Sequence, residues 1–495
     1  MKRLRLIGSL DLKVVGIALA VLLVWPGVAR SQSWQPLQNQ PPFGASNALL
    51  LTDGTVMVQQ SGGADWWRLT PDANGNYVNG TWSQLASLPS GYSPLYYASA
   101  VLPDGRVIVE GGEYNLYAPA WSAQGAIYDP TANTWTSVAP PSGWYSIGDA
   151  PSVVLADGHF MLGNCCTAES ALFDPTTLTW TVTGTGKADN NNEEGWTLLP
   201  DGSVLAIDAN NTSDLTYAER YMPISGAWIS AGSTLVKLDD TDADGSQSHE
   251  LGPAVLRPDG TVFATGATGH TAIYNAKKNT WAPGPDFPDL AGEGQLDIAD
   301  GPACLLPSGR VLVAASPRVF QGDIHFFEFD GTSLTEVSAT PNAPYEPSYV
   351  GRMLLLPTGQ ILFTDGSGDA EIYTSGGSPK AAWAPTIKSA PHAVSPGGSY
   401  TLSGTRLNGL SQGAAYGDDA QAATNYPLVR ITNRATGHVF YSRTHDHSSM
   451  GVASSGEVST LFDVPADQEL GASDLVVVAN GIPSRPIKVT VTGGQ

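Results

Sequence analysis

The sequence has few charged residues and few cysteines. Asp, Glu, Lys and Arg make up 14% of its 495 residues, against about 25% in average globular chains, which excludes long Glu/Lys/Arg-rich helices as the main element. Lys and Arg number 24 against 46 Asp and Glu, the formal net charge is −22, and no basic block occurs beyond the N-terminus, which disfavours nucleic-acid binding. Neither a CxxC motif nor zinc-type Cys/His spacing occurs. The composition therefore indicates an acidic all-β protein.

The cysteines have two different settings. Cys165 and Cys166 are adjacent, and in an exported chain they form either a vicinal disulfide or two reduced, half-buried thiols. Cys304 lies in the apolar stretch PACLL, which predicts a buried structural thiol. Three cysteines do not make a disulfide framework, so the fold must be held together by its core.

The N-terminal residues have the parts of a secretory signal peptide. Basic residues come first: Lys2, Arg3, Arg5 and Lys13. An uncharged run of twelve follows at 14–25, which fits the apolar region of about 7–15 residues in a signal peptide. The alternative is a membrane anchor, but that needs about 20 apolar residues. We predict that 1–31 are removed near Ala29 or Ser31, and that the mature protein is secreted, extracellular or periplasmic, with no transmembrane segment.

One pattern recurs seven times: an apolar run, a short turn ending in Gly, and a second apolar run. The copies begin with LLLTDGTVMV at 49–58 and end with LLLPTGQILF at 354–363. The turn glycines are Gly54, Gly105, Gly158, Gly202, Gly260, Gly309 and Gly359. Each copy predicts a β-hairpin, because Asp-Gly and related pairs accept the positive φ of a tight turn.

A second phrase follows most hairpins and ends in Thr/Ala-Trp, as in AIYDPTANTW at 126–135. Two strands from each phrase make a four-stranded sheet about every 50 residues, which is the kelch period. We predict a seven-bladed kelch-type β-propeller over 32–385, in which 33–37 form the outer strand of the last blade. An open β-solenoid is the alternative. The period stops after Trp383, and six or seven short strands in 386–495 predict an immunoglobulin-like β-sandwich.

The two halves in this order resemble the galactose oxidase and glyoxal oxidase family of secreted copper-radical oxidases. The resemblance is carried by LYYASAVLPDGRVIVEGG at 95–112, YVGRMLLLPTG at 349–359, and AYGDDAQAATNYPLVRIT through RTHDHSSMGV at 415–452. It implies oxidation of a primary alcohol or aldehyde, with O₂ reduced to peroxide, by one copper and a tyrosine joined to a cysteine.

The resemblance carries over to three residues of the copper site. It implies Tyr97 as the radical tyrosine, Tyr349 as the axial tyrosine and His445 as the imidazole supplied by the closing domain. Val350 stands where a second imidazole belongs, and 43–47 contain no cysteine for the cross-link. His447 as a substitute imidazole, or Cys165 or Cys166 as a different cross-link, are the alternatives that would restore a metal site.

Carboxylates recur where the innermost strands are predicted to begin. Counting back 8–10 residues from the hairpin glycines reaches Asp149, Glu194 (with Glu193), Glu250 (with His249) and Asp300. With His445 and His447 above them, these acids predict a polar pocket that suits a sugar. Trp66, Trp67, Trp121 and Trp144 are candidates for the aromatic rings on which a sugar would stack. Such oxygen-rich sites also suit Ca²⁺. The alternative is that these acids cap loops or face water. The tract at 239–245 resembles part of a calcium loop, with a solvated acidic loop as the favoured interpretation.

The favoured hypothesis is a secreted, galactose-oxidase-like propeller that binds a carbohydrate or cell-surface glycan at this acidic mouth. It has no copper-radical chemistry and is a monomer without a cofactor. The alternative is a copper-dependent alcohol or aldehyde oxidase with an altered ligand set. A third hypothesis is an adhesive surface protein with no small ligand.

Overall fold

A computed structural model of the chain describes residues 32–241 and 247–493. These residues form mostly antiparallel β-sheets and three 3₁₀ helices, Ala343–Tyr345, Ser348–Val350 and Ala381–Trp383, and no α-helix occurs among them. No helix within the described ranges is long and apolar enough to cross a membrane. The predicted signal peptide lies outside the described residues.

The seven predicted hairpin turns are all present. The glycine of each turn has a φ between +76° and +94°, the left-handed conformation that glycine adopts without a steric cost. In the first turn, for example, Leu51 N–H donates to Thr55 O and Gly54 N–H donates to Leu51 O. The repeated turn pattern therefore predicted the positions of the inner hairpins.

The first three repeats each form a four-stranded antiparallel sheet. The strands are β1 (Ser33–Pro36), β2 (Ala45–Leu50), β3 (Val56–Gln60), β4 (Trp66–Thr70), β5 (Thr81–Gln84), β6 (Pro94–Leu95), β7 (Ala98–Val101), β8 (Val107–Glu110), β9 (Tyr114–Asn115), β10 (Ala118–Pro119), β11 (Gly125–Asp129), β12 (Thr134–Val138), β13 (Ser152–Val154), β14 (Phe160–Gly163), β15 (Ser170–Asp174) and β16 (Thr179–Thr183). The sheets are β2-β3-β4-β5, β7-β8-β11-β12 and β13-β14-β15-β16, and β6, β9 and β10 form a small additional sheet.

The remaining repeats continue the pattern. Their strands are β17 (Thr197–Leu198), β18 (Val204–Ile207), β19 (Tyr217–Met222), β20 (Ala227–Ser233), β21 (Leu251–Leu256), β22 (Thr261–Gly266), β23 (Ala272–Asn275), β24 (Thr280–Pro283), β25 (Asp289–Leu290), β26 (Gly294–Asp297), β27 (Ala303–Leu305), β28 (Val311–Pro317), β29 (His325–Phe329), β30 (Leu334–Val337), β31 (Arg352–Leu355), β32 (Ile361–Thr364) and β33 (Ala370–Thr374). Sheets β17–β20 and β21–β24 are four-stranded, β27–β30 belong to a larger sheet, and β1 pairs with β33 beside β32 and β31. The N-terminal strand thus completes the last repeat, as predicted.

In most repeats the tryptophan of the second phrase links its sheet to the one before it. Trp135 Nε1–H donates to Ala86 O at 2.9 Å, just beyond the outer strand of the preceding sheet. Equivalent bonds join Trp180 to Ala139, Trp281 to Ala231 and Trp34 to Ser338. Trp82 of the first repeat donates to Asn39 O, which follows the N-terminal strand of the last repeat. This bond brings the first and last sheets together.

The C-terminal part folds around its own core. Its strands are β34 (Thr386–Ser389), β35 (Ala393–Val394), β36 (Ser399–Thr405), β37 (Ala414–Ala415), β38 (Leu428–Asn433), β39 (Val439–His445), β40 (Glu457–Asp463), β41 (Gly471–Ala479), β42 (Ile482–Pro483) and β43 (Ile487–Val491). β39 pairs with β38 through its first half and with β40 through its last three residues. Leu402, Ile431, Phe462 and Val477 are among the buried side chains of the core between these strands.

The cysteines are now assigned. Cys165 and Cys166 form a vicinal disulfide, which decides between the two alternatives that the sequence left open. Cys304 is a free, fully buried thiol in β27, as predicted.

Candidate functional site

A cavity of about 540 Å³ opens where the innermost strands begin, at the end opposite to the hairpin turns. Carboxylates and aromatic rings make up most of its lining: Tyr96, Glu113, Tyr114, Asp149, Glu193, Glu250, Asp300, Phe320, Tyr349, Asp418 and Asp419, together with Leu95. Of the predicted site residues, Asp149, Glu250, Asp300 and Tyr349 lie here. Tyr97, Glu194, His445 and His447 are not among the lining residues.

A shift of one residue decides which side chains reach the cavity. Tyr96, Asp149, Glu193 and Asp300 each lie nine positions before their hairpin glycine, and all four line the cavity. Three of them, Tyr96, Glu193 and Asp300, have φ values of 53°, 58° and 57°, a conformation that is uncommon for residues other than glycine. Tyr97 and Glu194, the next residues along the chain, do not line the cavity. Glu250 and Tyr349, ten positions before their hairpin glycines, do line it.

Tyr97 and Glu194 are both buried inside the protein. Tyr97 is 2% exposed, and its Oη donates to Gln59 Oε1 at 2.7 Å and accepts from Asn47 Nδ2 at 3.3 Å. Glu194 is fully buried and lies 3.0 Å from the Lys187 ammonium. It belongs to what we call the Lys187 cluster: Lys187, Asp189, Glu194, Asp208 and Glu219. Glu193 therefore replaces Glu194 as the cavity residue.

The two histidines lie at the other end of the inner strands. Thr444 N–H donates to Thr52 O and His447 N–H donates to Pro103 O, both beside hairpin turns. His445 Nε2 lies 3.2 Å from Asp463 Oδ1. His447 is buried, its ring stacks on Tyr426, and burial lowers its pKa to about 3. The structure does not bring the histidines to Tyr349.

The closing domain nevertheless reaches the cavity, through residues 411–427, which we call the central finger. Its strand β37 pairs with β27 of the sixth repeat. Farther along, Ala420 N–H donates to Tyr97 O in the second repeat, and Gln412 Oε1 accepts from Leu198 N–H in the fourth. Because it touches three repeats at once, the finger runs through the centre of the sheets. Its tip delivers Asp418 and Asp419 to the cavity.

Six of these acids form what we call the cavity cluster: Asp149, Glu193, Glu250, Asp300, Asp418 and Asp419. Burial, and then the charges of neighbouring carboxylates, raises the pKa of Asp149, Glu193 and Asp418 well above its usual range. The same causes raise the pKa of Glu250 and Asp300. Burial raises the pKa of Asp419 to about 7, although the Arg352 guanidinium lowers it. Burial and crowding therefore disfavour the charged form of these carboxyl groups.

Arg352 stabilises the wall of the cavity and is not one of its lining residues. Its guanidinium lies 4.0 Å from the ring centroid of Tyr416, and Nη1 donates to Tyr349 O and Gly351 O. The aromatic faces of the cavity are tyrosines and Phe320, not the tryptophans that the sequence suggested. Trp66 and Trp67 lie in β4, and neither Trp121 nor Trp144 lines the cavity.

The donors around the cavity do not fit the copper-radical site that the resemblance implies. That site needs two imidazoles and a cysteine-linked tyrosine, and the cavity lining contains neither His nor Cys. Tyr97 is bonded to amides outside the cavity, and His445 pairs with aspartates at the opposite end. Among the described residues, the clusters able to hold a metal consist of carboxylates alone, which are hard ligands preferred by Mg²⁺, Ca²⁺ and Mn²⁺.

The acidic tract at 239–245 is described only in part. Asp239 is buried and accepts from Gln247 Nε2 at 2.6 Å and Ser248 Oγ at 2.9 Å. Asp242 and Asp244 lie outside the described residues, so the calcium-loop interpretation stays a prediction.

No family model matches the sequence. The chain is 24% identical over 262 residues to the kelch-like protein terF of Aspergillus terreus, a stretch that covers 49% of this chain and 54% of terF. The chain thus spans about half the length of this relative. Among solved structures, a fungal alcohol oxidase of the AA5 family in complex with copper has a TM-score of 0.49 at 16% identity, covering 94% of this chain and 100% of that one. Virginiamycin B lyase from Staphylococcus aureus with quinupristin has a TM-score of 0.48 at 10% identity, covering 70% and 99%.

Proposed function

We propose that this protein binds a hydroxyl-rich ligand, a carbohydrate or a cell-surface glycan, in the acidic cavity and has no copper-radical chemistry. The observation that carries the proposal is one cavity lined by seven carboxylates and three tyrosine rings. Its volume of about 540 Å³ falls in the range of about 300–1,000 Å³ that is usual for small-ligand pockets.

The two kinds of lining suit the two faces of a sugar. Carboxylates accept hydrogen bonds from sugar hydroxyls, and a carboxyl that keeps its proton, such as Asp419 with a pKa of about 7, also donates. Tyr96, Tyr114 and Tyr349 present rings to the same space, on which the C–H faces of a sugar pack. The cavity is more acidic than most small-ligand pockets, which are predominantly apolar, and this excess of hydrogen-bond acceptors favours a ligand with many hydroxyls.

The fold that positions the cavity is best explained as a closed seven-bladed propeller. The seven four-stranded sets would be its blades, since innermost strands of neighbouring sets contact one another, as β31 does β2 and β2 does β7. The Trp82–Asn39 bond joins the two ends of the series. The part from 386 onward would be an immunoglobulin-like sandwich, because β39 passes from one sheet to the other around a shared core.

We also propose that the protein is secreted and acts as a monomer, without nucleic-acid partners. The basic and apolar segments of 1–31 support export, and the Cys165–Cys166 disulfide suits an oxidising compartment. The low count of Lys and Arg argues against nucleic acid as a partner.

The test is a glycan array probed with the mature protein, followed by calorimetric titration with a glycan that binds. Tyr349→Ala should weaken binding about tenfold to a hundredfold, because a ring at the ligand is removed. Its matched control is Tyr345→Ala. Tyr345 lies four residues before Tyr349, is 83% exposed and does not line the cavity.

Equal glycan affinity in Tyr349→Ala and the wild type, or an array without any bound glycan, would contradict the proposal. A copper-loaded sample assayed for peroxide with primary alcohols and aldehydes tests the oxidase alternative. Peroxide release that depends on Tyr349 would establish that alternative instead.

A further inference from the structure

The tip of the central finger carries two aspartates that have no polar partner for most of their oxygens. Asp418 and Asp419 are each 1% exposed. One oxygen of Asp418 accepts from Asp419 N–H at 2.7 Å, but Asp418 Oδ2 and both carboxylate oxygens of Asp419 are buried without a hydrogen-bond donor. A buried carboxylate without a partner is costly, so these oxygens point to something that the protein chain itself does not supply.

Asp418 faces carboxylates from the surrounding repeats. One oxygen each from Asp149, Glu193 and Asp418 lie within 4.8 Å of one another. Glu193 also belongs to a second such group with Glu250 and Asp300. Asp149 Oδ1, Glu250 Oε2 and Asp300 Oδ1 are likewise buried without a partner.

These separations match a calcium ion. Ca²⁺ binds oxygen ligands at about 2.3–2.6 Å, so two oxygens on one ion lie up to about 5 Å apart. Mg²⁺ keeps several of its waters and is usually bound by only one or two carboxylates, whereas three carboxylates converge here. Three carboxylates from three separate elements also leave room for water or ligand hydroxyls, which Ca²⁺ accepts within its six to eight positions.

We propose that Asp149, Glu193 and Asp418 form a Ca²⁺ site that joins the tip of the central finger to the wall of the cavity. Glu250 and Asp300, which form the second group with Glu193, lie next to this site. The ion offsets the charge of the cavity cluster and presents open coordination positions to the cavity. This inference deepens the proposed function, because hydroxyls of a bound sugar would reach the ion, but Ca²⁺ binding itself does not depend on a sugar.

The test is calorimetric titration of the EDTA-treated, full mature protein with CaCl₂ at about pH 7.5. We expect one Ca²⁺ per chain for the wild type and a loss of affinity of about tenfold or more in Asp418→Asn, which removes a ligand charge. Asp467→Asn is the matched control, because it makes the same chemical change at an exposed position, and it should bind as the wild type does.

Tb³⁺ provides a second readout, since cavity tyrosines should sensitise its emission when it replaces Ca²⁺. If Asp418→Asn does not fold, Asp149→Asn replaces it, because Asp149 supplies a ligand from the wall of the cavity and its loss should weaken Ca²⁺ binding in the same way. No Ca²⁺ binding by the wild type, or equal affinity in Asp418→Asn and Asp467→Asn, would overturn the inference. Ca²⁺ binding by a protein that holds no glycan would support this inference while contradicting the proposed function, so the two can fail separately.

Discussion

Glu193 and Glu194 are neighbours in the sequence and belong to two buried acidic clusters that differ in how their charge is balanced. In the Lys187 cluster the ammonium lies 3.0 Å from Glu194, 3.5 Å from Asp208 and 2.9 Å from Glu219, and the Lys187 side chain is 1% exposed. In the cavity cluster, oxygens of Asp418 and Asp419 have no partner. The first group of carboxylates is balanced by a buried cation of the chain itself, whereas the second lines an open cavity. We therefore propose a structural role for the first group and a ligand-binding role for the second.

The largest expected effect comes from removing the cation of the structural cluster. Lys187→Met should lower the free energy of unfolding by about 3–5 kcal/mol, because four carboxylates then stay buried without their counter-charge. Thermal and urea unfolding measure it, with Lys380→Met as the control at an exposed lysine. A melting temperature equal to that of the control would contradict the claim that Lys187 balances the charge of its cluster.

The cavity cluster should show itself in the pH dependence of stability. The pKa of Asp419 is about 7 in the folded protein against 3.8 for the ordinary group, so between these values the folded state holds a proton that the unfolded chain has released. Stability in EDTA should therefore fall as the pH rises from about 4 to about 7, by about 2–4 kcal/mol for this one group.

Asp419→Asn should flatten that fall, and Ca²⁺ should offset it in the wild type. Unfolding curves at about pH 5 and about pH 7.5 measure the difference, with Asp467→Asn as the control. A slope that is the same in Asp419→Asn and the control would mean that the cavity carboxylates do not hold their protons in the way described.

The smallest effect should come from the histidine that the family resemblance placed at the metal. His445→Ala removes ion pairs with Asp446 and Asp463, which are 60% and 42% exposed, so the loss of stability should be no more than about 1 kcal/mol. Ca²⁺ and glycan affinities should stay unchanged, since His445 lies at the hairpin end of the sheets. A loss of either affinity would place this residue in the site.

Local chemistry predicted much of the fold. The turn glycines, five of them preceded by Asp and two by Ser308 and Thr358, predicted seven hairpins, because a positive φ at Gly54 or Gly105 is encoded by two or three residues. Strands β36, β38, β39, β40, β41 and β43 match the alternating runs seen in the sequence. The N-terminal strand pairs with β33 as predicted, since Trp34 repeated a pattern already visible elsewhere in the chain.

The site was harder to predict, for two physical reasons. Whether Tyr96 or Tyr97, and Glu193 or Glu194, faces the cavity depends on the left-handed backbone conformation at Tyr96 and Glu193, which is uncommon for residues other than glycine and has no signal in the hydrophobic pattern. Tyr96, Asp149, Glu193 and Asp300 share a spacing of nine to the hairpin glycine, but Glu250 and Tyr349 line the cavity at a spacing of ten, so spacing alone was a weak signal. Asp418 and Asp419 had no such signal, because their place depends on the pairing of β37 with β27, about 110 residues apart in the chain.

The most direct measurement is the Ca²⁺ affinity of two variants that differ by one position, Glu193→Gln and Glu194→Gln, by calorimetric titration at about pH 7.5. The account predicts that Glu193→Gln loses at least about tenfold in affinity, whereas Glu194→Gln, changed inside the Lys187 cluster, binds as the wild type does. Equal affinities in the two variants, or a greater loss in Glu194→Gln, would contradict the division of the two clusters into receptor and structure.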